Sequence, residues 1–425
     1  MLFSSLQFAS VALFLAAAVN AAPYAAPQLA SRGYAVSHGN KVPANLVDPS
    51  YRTGARISPG AKAHFRRQAK AVAAAAKHKR ACNATTTPDE PTPVPTPEEP
   101  TPVPTPEEPA PVPTPDAPTV DPLPQFPATF NNPIKPGGAA DPWVIYHQET
   151  DMYYLCQSQQ GGIVVLPSRD LTAFPEEGPV VWSPPGDLKD LWAPELHFID
   201  GVWYVYVAMD HGDNADHRMY FVGKVTTPDD NWAIDGTVFR YSPNGKLYFV
   251  WSGWIDGSHT ITQNLYIAEM CSPTEVCSDR VLLHEPNQGW QKSGDSGVNE
   301  GPEIIEHNGR YFIVYSAAGS WTDDYCLAFM GIDGGADPMN GANWWRLDDR
   351  PVMWSNPDAG VWAPGHASFT TARDGTPYVV YHALDRSGAG WGGRTARTEA
   401  FGWNPDGSPG FPRPVGFNVS LPHPA

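Results

Sequence analysis

The sequence is poor in positive charge, in long apolar runs and in helical periodicity. It contains 28 Lys and Arg residues against 45 Asp and Glu residues, which gives a formal charge of −17 at pH 7. A surface this acidic repels nucleic acids and anionic polymers, so we expect no nucleic-acid partner and a neutral substrate. After the amino-terminal segment no stretch is apolar enough to cross a bilayer, which argues against a membrane protein. The near absence of helical periodicity favours an all-β fold.

Cysteines are few, and their number is odd. Cys271 and Cys277 lie close together in EMCSPTEVC and could close a small loop in an oxidising compartment. Cys156 and Cys326 fall within strand-like runs, where we expect buried thiols. Cys82 lies in a low-complexity segment and could pair between molecules.

The amino-terminal region has the composition of a secretory leader. Residues 1–21, MLFSSLQFASVALFLAAAVNA, combine a short apolar core with small residues, which is typical of a signal peptide and predicts a secreted, extracellular protein. Residues 22–80 are Ala-rich, carry 11 basic side chains and one acidic one, and end in Lys79-Arg80. A dibasic end after a signal peptide predicts a propeptide, and the alternative is a basic arm that stays attached. Without this segment the formal charge of the chain is −27.

A proline-rich segment separates this leader from the remainder of the chain. Residues 81–125 include a nine-residue repeat, PTPVPTPEE, with almost nothing to bury, so we expect a disordered, semi-rigid spacer. From residue 126 to 425 aromatic residues become dense and alternating strand patterns begin. We therefore predict one folded domain over 126–425. Asn83 and Asn418 lie in glycosylation acceptor triplets, and we expect a glycoprotein.

One unit recurs five times in the folded region: a polar or proline-marked opening, an apolar strand, a turn, and a second strand rich in aromatic and β-branched residues. The copies are DPWVIYHQETDMYYLCQS from Asp141, WAPELHFIDGVWYVYVA from Trp192, IDGTVFRYSPNGKLYFVWS from Ile234, EGPEIIEHNGRYFIVYS from Glu300 and WAPGHASFTTARDGTPYVVYHA from Trp362. Their starts lie 42 to 66 residues apart, enough for a four-stranded blade and a connection. This pattern predicts a five-bladed β-propeller. A two-sheet sandwich is the rival fold, but it does not predict five similar hairpins.

The first strand of each blade lines the central channel of a propeller, and its leading end opens at one mouth of that channel. Aligning the five units brings Asp141, Trp192, Asp235, Glu300 and the region of His366 to the same mouth. Three of these are acids from different blades. In glycoside hydrolysis one carboxyl group donates a proton to the leaving oxygen and another, ionised, activates water or attacks carbon. A third nearby charge raises the pKa of the donor.

Other carboxylates in the region fit structural roles better. Asp200 and Asp374 fall at hairpin turns, and Asp256 follows its strand, so each is interpreted as a turn residue. Glu195 and Glu303 lie one step further into their strands, where pairing or structural roles are expected.

From about Asn131 to the carboxyl terminus the sequence resembles glycoside hydrolase family 43, in the five-bladed propeller clan. The matching motifs are ADPWVIYH, WAPE, WAIDGTVF, NEGPEI and APGHASF. The resemblance implies the following roles: general base for Asp141, sugar-stacking ring for Trp192, pKa-modulating and substrate-orienting acid for Asp235, general acid for Glu300, and an axial histidine near a water-bound central ion, often calcium, for His366. No organic cofactor is implied.

The motifs HRMYFVGK, GKLYFVWSGW and SWTDDYCLAFM make the chain most similar to the arabinan-degrading members of that family, including exo-α-1,5-L-arabinofuranosidases. Arg394 in GGRTAR resembles a family arginine near the modulating acid. The implied function is inverting hydrolysis of α-L-arabinofuranosyl linkages in the arabinan side chains of pectin, with exo action on α-1,5-arabinan. With the predicted signal peptide this indicates a secreted enzyme, and we expect a monomer whose partner is a plant cell-wall polysaccharide or oligosaccharide (arabinan or arabinoxylan). The alternatives are β-xylosidase or endo-arabinanase activity and, in another class, a propeller that binds sugar without cleaving it. The key positions differ from blade to blade, and this asymmetry favours an enzyme over a lectin with equivalent sites.

Overall fold

The structure is a computed structural model that describes residues 125–425 except 136, 222, 225–228, 257–261, 295 and 348. The predicted signal peptide, propeptide and most of the spacer, with Cys82 and Asn83, lie outside the described residues. Within the described ranges, no helix has the length and apolarity that crossing a membrane requires.

A short strand, β1 (Thr129–Phe130), precedes five antiparallel sheets, which we name blades I to V in chain order. Blade I contains β2 (Trp143–His147), β3 (Met152–Gln159), β4 (Gly162–Ser168) and β5 (Val180–Trp182). Blade II contains β6 (Lys189–Ile199), β7 (Val202–Asp210), β8 (Arg218–Phe221) and β9 (Gly223–Lys224). Blade III contains β10 (Ala233–Tyr241), β11 (Lys246–Gly253), β12 (Asn264–Ser272), β13 (Glu275–Val276) and β14 (Val281–His284).

The remaining strands complete the sheets. Blade IV contains β15 (Asn299–His307), β16 (Arg310–Ala317), β17 (Cys326–Asp333) and β18 (Trp345–Arg346). Blade V contains β19 (Trp362–Thr371), β20 (Pro377–Leu384) and β21 (Thr395–Ala400), followed by the small strands β22 (Gly402–Trp403), β23 (Pro409–Gly410) and β24 (Leu421–Pro422). The connections include short 3-10 helices at Asn214–Asp216, Gly289–Gln291, Gly341–Asn343 and Pro357–Ala359.

The first strands of the five blades form a closed ring. Strands β2, β6, β10, β15 and β19 each contact the next in this order, and β19 contacts β2. Each of these strands coincides with the first strand of one sequence repeat. The predicted five-bladed propeller is therefore confirmed, and the sandwich alternative is excluded.

The apolar core lies between neighbouring blades. Each blade is covered on both faces, so its middle strands are buried along most of their length; in β16, for example, every residue after Arg310 is buried. Separate clusters of buried side chains fill the interfaces between blades I and II, II and III, III and IV, IV and V, and V and I. Burial of this apolar surface is the main stabilising contribution to the ring.

The amino-terminal segment closes the ring at blade V. Backbone hydrogen bonds run from Ile134 N–H to Ala396 O (3.0 Å) and from Ala139 N–H to Arg394 O (3.1 Å), along the free edge of β21. Strand β1 pairs with β24 near the carboxyl terminus. Residues 134 and 139 thus cover an edge of β21 that would otherwise be open to pairing with another chain.

The cysteine predictions agree with the structure where it describes them. Cys271 and Cys277 form a disulfide, and Cys156 and Cys326 are buried free thiols. Asn418 is exposed, as a glycosylation acceptor must be, and its modification stays a prediction.

Candidate active site

The inner strands are irregular where they open at the channel mouth. Strands β6, β10, β15 and β19 carry register shifts against their partners near their leading ends. Asp141, Asp235 and His366 adopt left-handed backbone conformations, with φ of 48°, 53° and 47°. Bulges change the direction of side chains, and non-glycine residues in the left-handed conformation concentrate at functional sites. The backbone geometry therefore indicates a functional site at this mouth of the channel.

Glu300 owes its position to the glycine that follows it. Gly301 takes the left-handed conformation in β15 (φ 53°), and a Cβ at this position would lie 3.2 Å from the His366 ring. Glycine therefore permits both the bulge and the close approach of the imidazole. This is the physical reason for the Glu-Gly-Pro opening of the fourth repeat.

Four predicted site residues converge from blades I, III, IV and V. One side-chain oxygen each of Asp235 and Glu300 and one ring nitrogen of His366 lie within 4.8 Å of one another. His366 Nδ1 lies 3.3 Å from Asp141 Oδ1 and 4.0 Å from Asp235 Oδ2. Asp235 and Glu300 are buried, whereas Asp141 keeps some exposure to solvent.

Arg394 lies directly beside the first of these carboxylates. Its Nη1 is 3.2 Å from Asp141 Oδ1, and its Nη2 donates to the Ser320 carbonyl at 3.1 Å. Burial acts to raise the pKa of Asp141, but the neighbouring His366 and Arg394 outweigh it and lower the pKa below its usual range. Burial lowers the pKa of His366, and the Arg394 guanidinium adds a positive charge that favours the ionised form of Asp141.

Glu300 has the opposite character. Burial, and to a smaller extent the charge of Asp141, raise its pKa to about 7 against the opposing effect of a hydrogen bond from Tyr325. The pKa of Asp235 is also raised, first by burial and then by the charges of Glu300 and Asp141, although its Oδ2 accepts the Gly301 N–H at 3.1 Å. Two buried acids this close titrate as a pair, because ionising both is unfavourable, whereas Asp141 loses its proton more readily than either.

Three residues at the site carry no signal in their local sequence. Tyr325, just before β17, donates its hydroxyl to Glu300 Oε1 at 2.8 Å. His382, in β20, accepts the Asp141 N–H on Nδ1 at 3.2 Å, and burial lowers its pKa to about 3, so it is neutral. Gln263 donates a side-chain hydrogen bond to Glu300. All three come from the second or third strand of a blade or from the approach to one, where the repeat pattern does not point to the channel.

Trp192 lies on blade II with 38 % of its surface exposed. Its ring stacks on His217 at 3.8 Å between centroids, and His217 is held by the Asp210 carboxylate (Nδ1 to Oδ2, 3.0 Å) and the Asp190 carbonyl (3.1 Å from Nε2). The fixed imidazole supports one face of the indole. The other predicted residues meet around Asp141, whereas Trp192 forms a separate aromatic surface on the adjacent blade.

The carboxylates interpreted as structural occupy other positions. Glu195 Oε2 lies 2.8 Å from His197 Nε2, and Glu303 accepts the Thr237 hydroxyl at 3.0 Å. Burial raises the pKa of both glutamates. Asp256 is exposed, in contrast to the buried Asp235.

A small cavity lined in part by His366 is where the predicted axial ion would lie. Its lining includes Asp141, Glu195, Glu303 and His366, and its volume is about 10 Å³. Calcium takes about six to eight oxygen ligands, whereas a cavity of this size accommodates about one water molecule. The lining supplies carboxylate oxygens but no room for a shell of bound waters, so the residues fit a hydrated calcium ion poorly. The ion stays a prediction.

A family model described as glycosyl hydrolases family 43 matches residues 130–409. An extracellular exo-α-(1→5)-L-arabinofuranosidase of Streptomyces avermitilis is 32% identical over 326 residues, covering 69% of this chain and 65% of that protein. An α-L-arabinofuranosidase 43 of Humicola insolens is 31% identical, covering 65% of this chain and 62% of the relative. The chain thus spans less than two thirds of the length of these two relatives.

Solved structures agree with the fold. The crystal structure of an α-L-arabinofuranosidase from Lactobacillus brevis is 31% identical and superposes with a TM-score of 0.63, covering 68% of this chain and 98% of that one. A thermostable family-43 glycoside hydrolase is 25% identical with a TM-score of 0.55, covering 68% of this chain and 100% of the other.

Proposed function

The chain belongs to glycosyl hydrolase family 43, and on that premise we propose that it is a secreted, monomeric α-L-arabinofuranosidase. It removes single arabinose units from the ends of α-1,5-linked arabinan by an inverting reaction. One observation carries the hydrolytic part of this proposal: an ionised carboxylate, Asp141, shares a channel mouth with a carboxyl group, Glu300, whose pKa is raised to about 7. The proposed arabinose specificity is supported by the similarity to arabinofuranosidases. Inverting hydrolysis requires one base and one acid in this state at the same pH.

In the proposed reaction Asp141 accepts a proton from a water molecule as that water attacks the anomeric carbon. Glu300 donates its proton to the glycosidic oxygen as the bond between that oxygen and the anomeric carbon breaks. Each turnover leaves Asp141 protonated and Glu300 ionised. Proton exchange with solvent then restores the starting state of both groups. Arg394 supports the role of the base, because its guanidinium stabilises the ionised form of Asp141.

Asp235 is the proposed modulator of the acid and a contact for the sugar hydroxyls. Its proximity to Glu300 means that ionising both carboxyl groups is unfavourable, which keeps the donor protonated to higher pH. Trp192 is proposed to stack on a sugar ring of the substrate. Since this ring is partly exposed and backed by His217, it offers a fixed apolar face.

Product sizing tests this function against its alternatives. The secreted protein is incubated with linear arabinan, branched arabinan and xylan, and the products are separated by size. We expect arabinose to appear first and almost alone from linear arabinan. A ladder of oligosaccharides would indicate an endo-arabinanase, release of xylose alone would indicate a β-xylosidase, and binding without any release would indicate a sugar-binding propeller.

A further inference from the structure

Two exposed tryptophans meet at the edge of the candidate site. Trp321 lies between β16 and β17 of blade IV, and Trp391 lies between β20 and β21 of blade V. They expose 39 % and 52 % of their surface, and their ring centroids are 5.9 Å apart with an interplanar angle of 74°. Paired exposed indoles are uncommon on a soluble domain and mark places where a ligand or partner binds.

This tryptophan pair is linked to the predicted base by hydrogen bonds. Trp391 Nε1 donates to the Ser320 hydroxyl at 3.1 Å, and the Ser320 carbonyl accepts a hydrogen bond from Arg394 Nη2 at 3.1 Å. The other end of the guanidinium contacts Asp141. Ser320 and the Arg394 guanidinium therefore link the tryptophan pair to Asp141, the carboxylate that activates water in the proposed reaction.

The loops that carry the pair are anchored. The Trp321 ring packs over Gly319 and Gly294. A Cβ added at Gly319 would lie 2.8 Å from the ring, and one added at Gly294 would lie 3.1 Å from it. Asp323 holds the glycine-rich loop of Trp391: its Oδ1 accepts the Gly388 N–H at 2.9 Å, and its Oδ2 accepts the Ser387 hydroxyl. The two rings are thus placed before any ligand arrives, which reduces the entropy lost on binding.

We propose that Trp321 and Trp391 form a binding subsite for a sugar ring of the arabinan chain other than the ring that is released. A neutral furanose offers apolar C–H faces, which pack on aromatic rings. Both indole rings are uncharged, and so is arabinan, so the rings can pack on the sugar without burying a charge. This inference rests on the proposed function, and it identifies residues that would make the enzyme prefer arabinan chains to single arabinosides.

Kinetics on one-ring and three-ring substrates test the subsite. Methyl α-L-arabinofuranoside has no second ring, whereas α-1,5-arabinotriose can occupy the subsite. We expect Trp321→Ala and Trp391→Ala each to lower the ratio of kcat/KM for the triose to that for the methyl glycoside by about tenfold, mainly through KM. Trp354→Ala is the matched control, since Trp354 is equally exposed but faces Arg413 instead, and its ratio should equal that of the parent.

Trp391→Phe separates stacking from positioning. Phenylalanine keeps a ring but removes the indole N–H that bonds to Ser320. If the ring binds sugar, this variant should keep a ratio within about threefold of the parent. A loss as large as that of Trp391→Ala, or an equal loss on both substrates in the alanine variants, would mean that the pair positions Arg394 and would overturn the subsite.

Binding without turnover distinguishes failure of the subsite from failure of the proposed function. In a Glu300→Gln background the dissociation constants of arabinotriose and xylotriose are measured by calorimetry, with and without Trp391→Ala. We expect Trp391→Ala to weaken arabinotriose binding about tenfold. If the parent cleaves no arabinoside but either trisaccharide binds in a Trp391-dependent way, the proposed function fails and the pair is still a sugar subsite. Binding that does not depend on Trp391, or no binding of either sugar, would overturn the subsite.

Discussion

Removing the hydroxyl of Tyr325 should move the upper limit of the pH range in which the enzyme works. The hydroxyl donates to Glu300 Oε1 at 2.8 Å and thereby favours the ionised form of that carboxyl. Tyr325 is fully buried and its ring packs closely against Gly365, so phenylalanine fills the same space without the hydrogen bond. A hydrogen bond to a charged group contributes about 1.5–3 kcal/mol, and about 1.4 kcal/mol corresponds to one pKa unit.

The sign follows from the role of the acid. Glu300 must be protonated to donate, so activity is lost as pH rises through its pKa, which lies at about 7 in the parent. Without the Tyr325 hydroxyl the ionised form is less stable and the pKa of Glu300 rises further. The alkaline limb of kcat/KM should therefore move to higher pH by about one to two units.

The assay is the pH dependence of kcat/KM on an aryl arabinofuranoside for the parent and Tyr325→Phe. Tyr381→Phe is a matched control, because Tyr381 is an equally buried tyrosine that donates to a buried carboxylate, Glu399, between blade strands. Its substitution should leave both limbs where they are. An alkaline limb that stays in place or moves to lower pH in Tyr325→Phe would refute Glu300 as the titrating acid.

Three further outcomes are expected. Asp235→Asn should lower kcat strongly and move the alkaline limb of the pH–rate profile to lower pH, because Glu300 loses the neighbour whose charge opposes its ionisation. Asp256→Asn, which changes an exposed residue, should alter neither kcat nor the profile. His217→Ala should raise KM several-fold with little change in kcat, as measured by steady-state kinetics, because Trp192 loses the ring that supports it. His366→Ala should weaken activity through loss of site organisation. If this variant and a chelator both leave rate and thermal stability unchanged, the axial ion and its histidine are wrongly assigned.

The part of the fold that repeats could be predicted from the sequence. Each repeat begins with a strand that lines the channel, so the periodic pattern sufficed to identify five blades and to place Asp141, Asp235 and Glu300 at one mouth. Ring closure could not be predicted in the same way. The segment beside β21 has no strand pattern of its own, and its hydrogen bonds to Ala396 and Arg394 join positions far apart in the chain.

The supporting residues of the site were beyond sequence reasoning for a related reason. Tyr325 reaches Glu300 from the approach to β17, and His382 reaches Asp141 from β20. The bulges of β15 and β19 lie beside Glu300 and beside Gly365, the strand partner of His382, and the repeat pattern does not reveal them. Trp321 and Trp391 lie on loops whose paths are fixed by hydrogen bonds to Asp323 and Ser320. Such contacts are set by tertiary structure, and a local pattern does not record them.

Proton NMR of the first-formed sugar tests the central claim most directly. During the first minutes of hydrolysis of linear α-1,5-arabinan, before mutarotation mixes the anomers, the spectrum shows which anomer leaves the enzyme. With Asp141 activating water on the face opposite the leaving group that Glu300 protonates, the released arabinose should have the configuration opposite to that of the substrate. Release of the substrate's own anomer would contradict the account and remove Asp141 from the role of base.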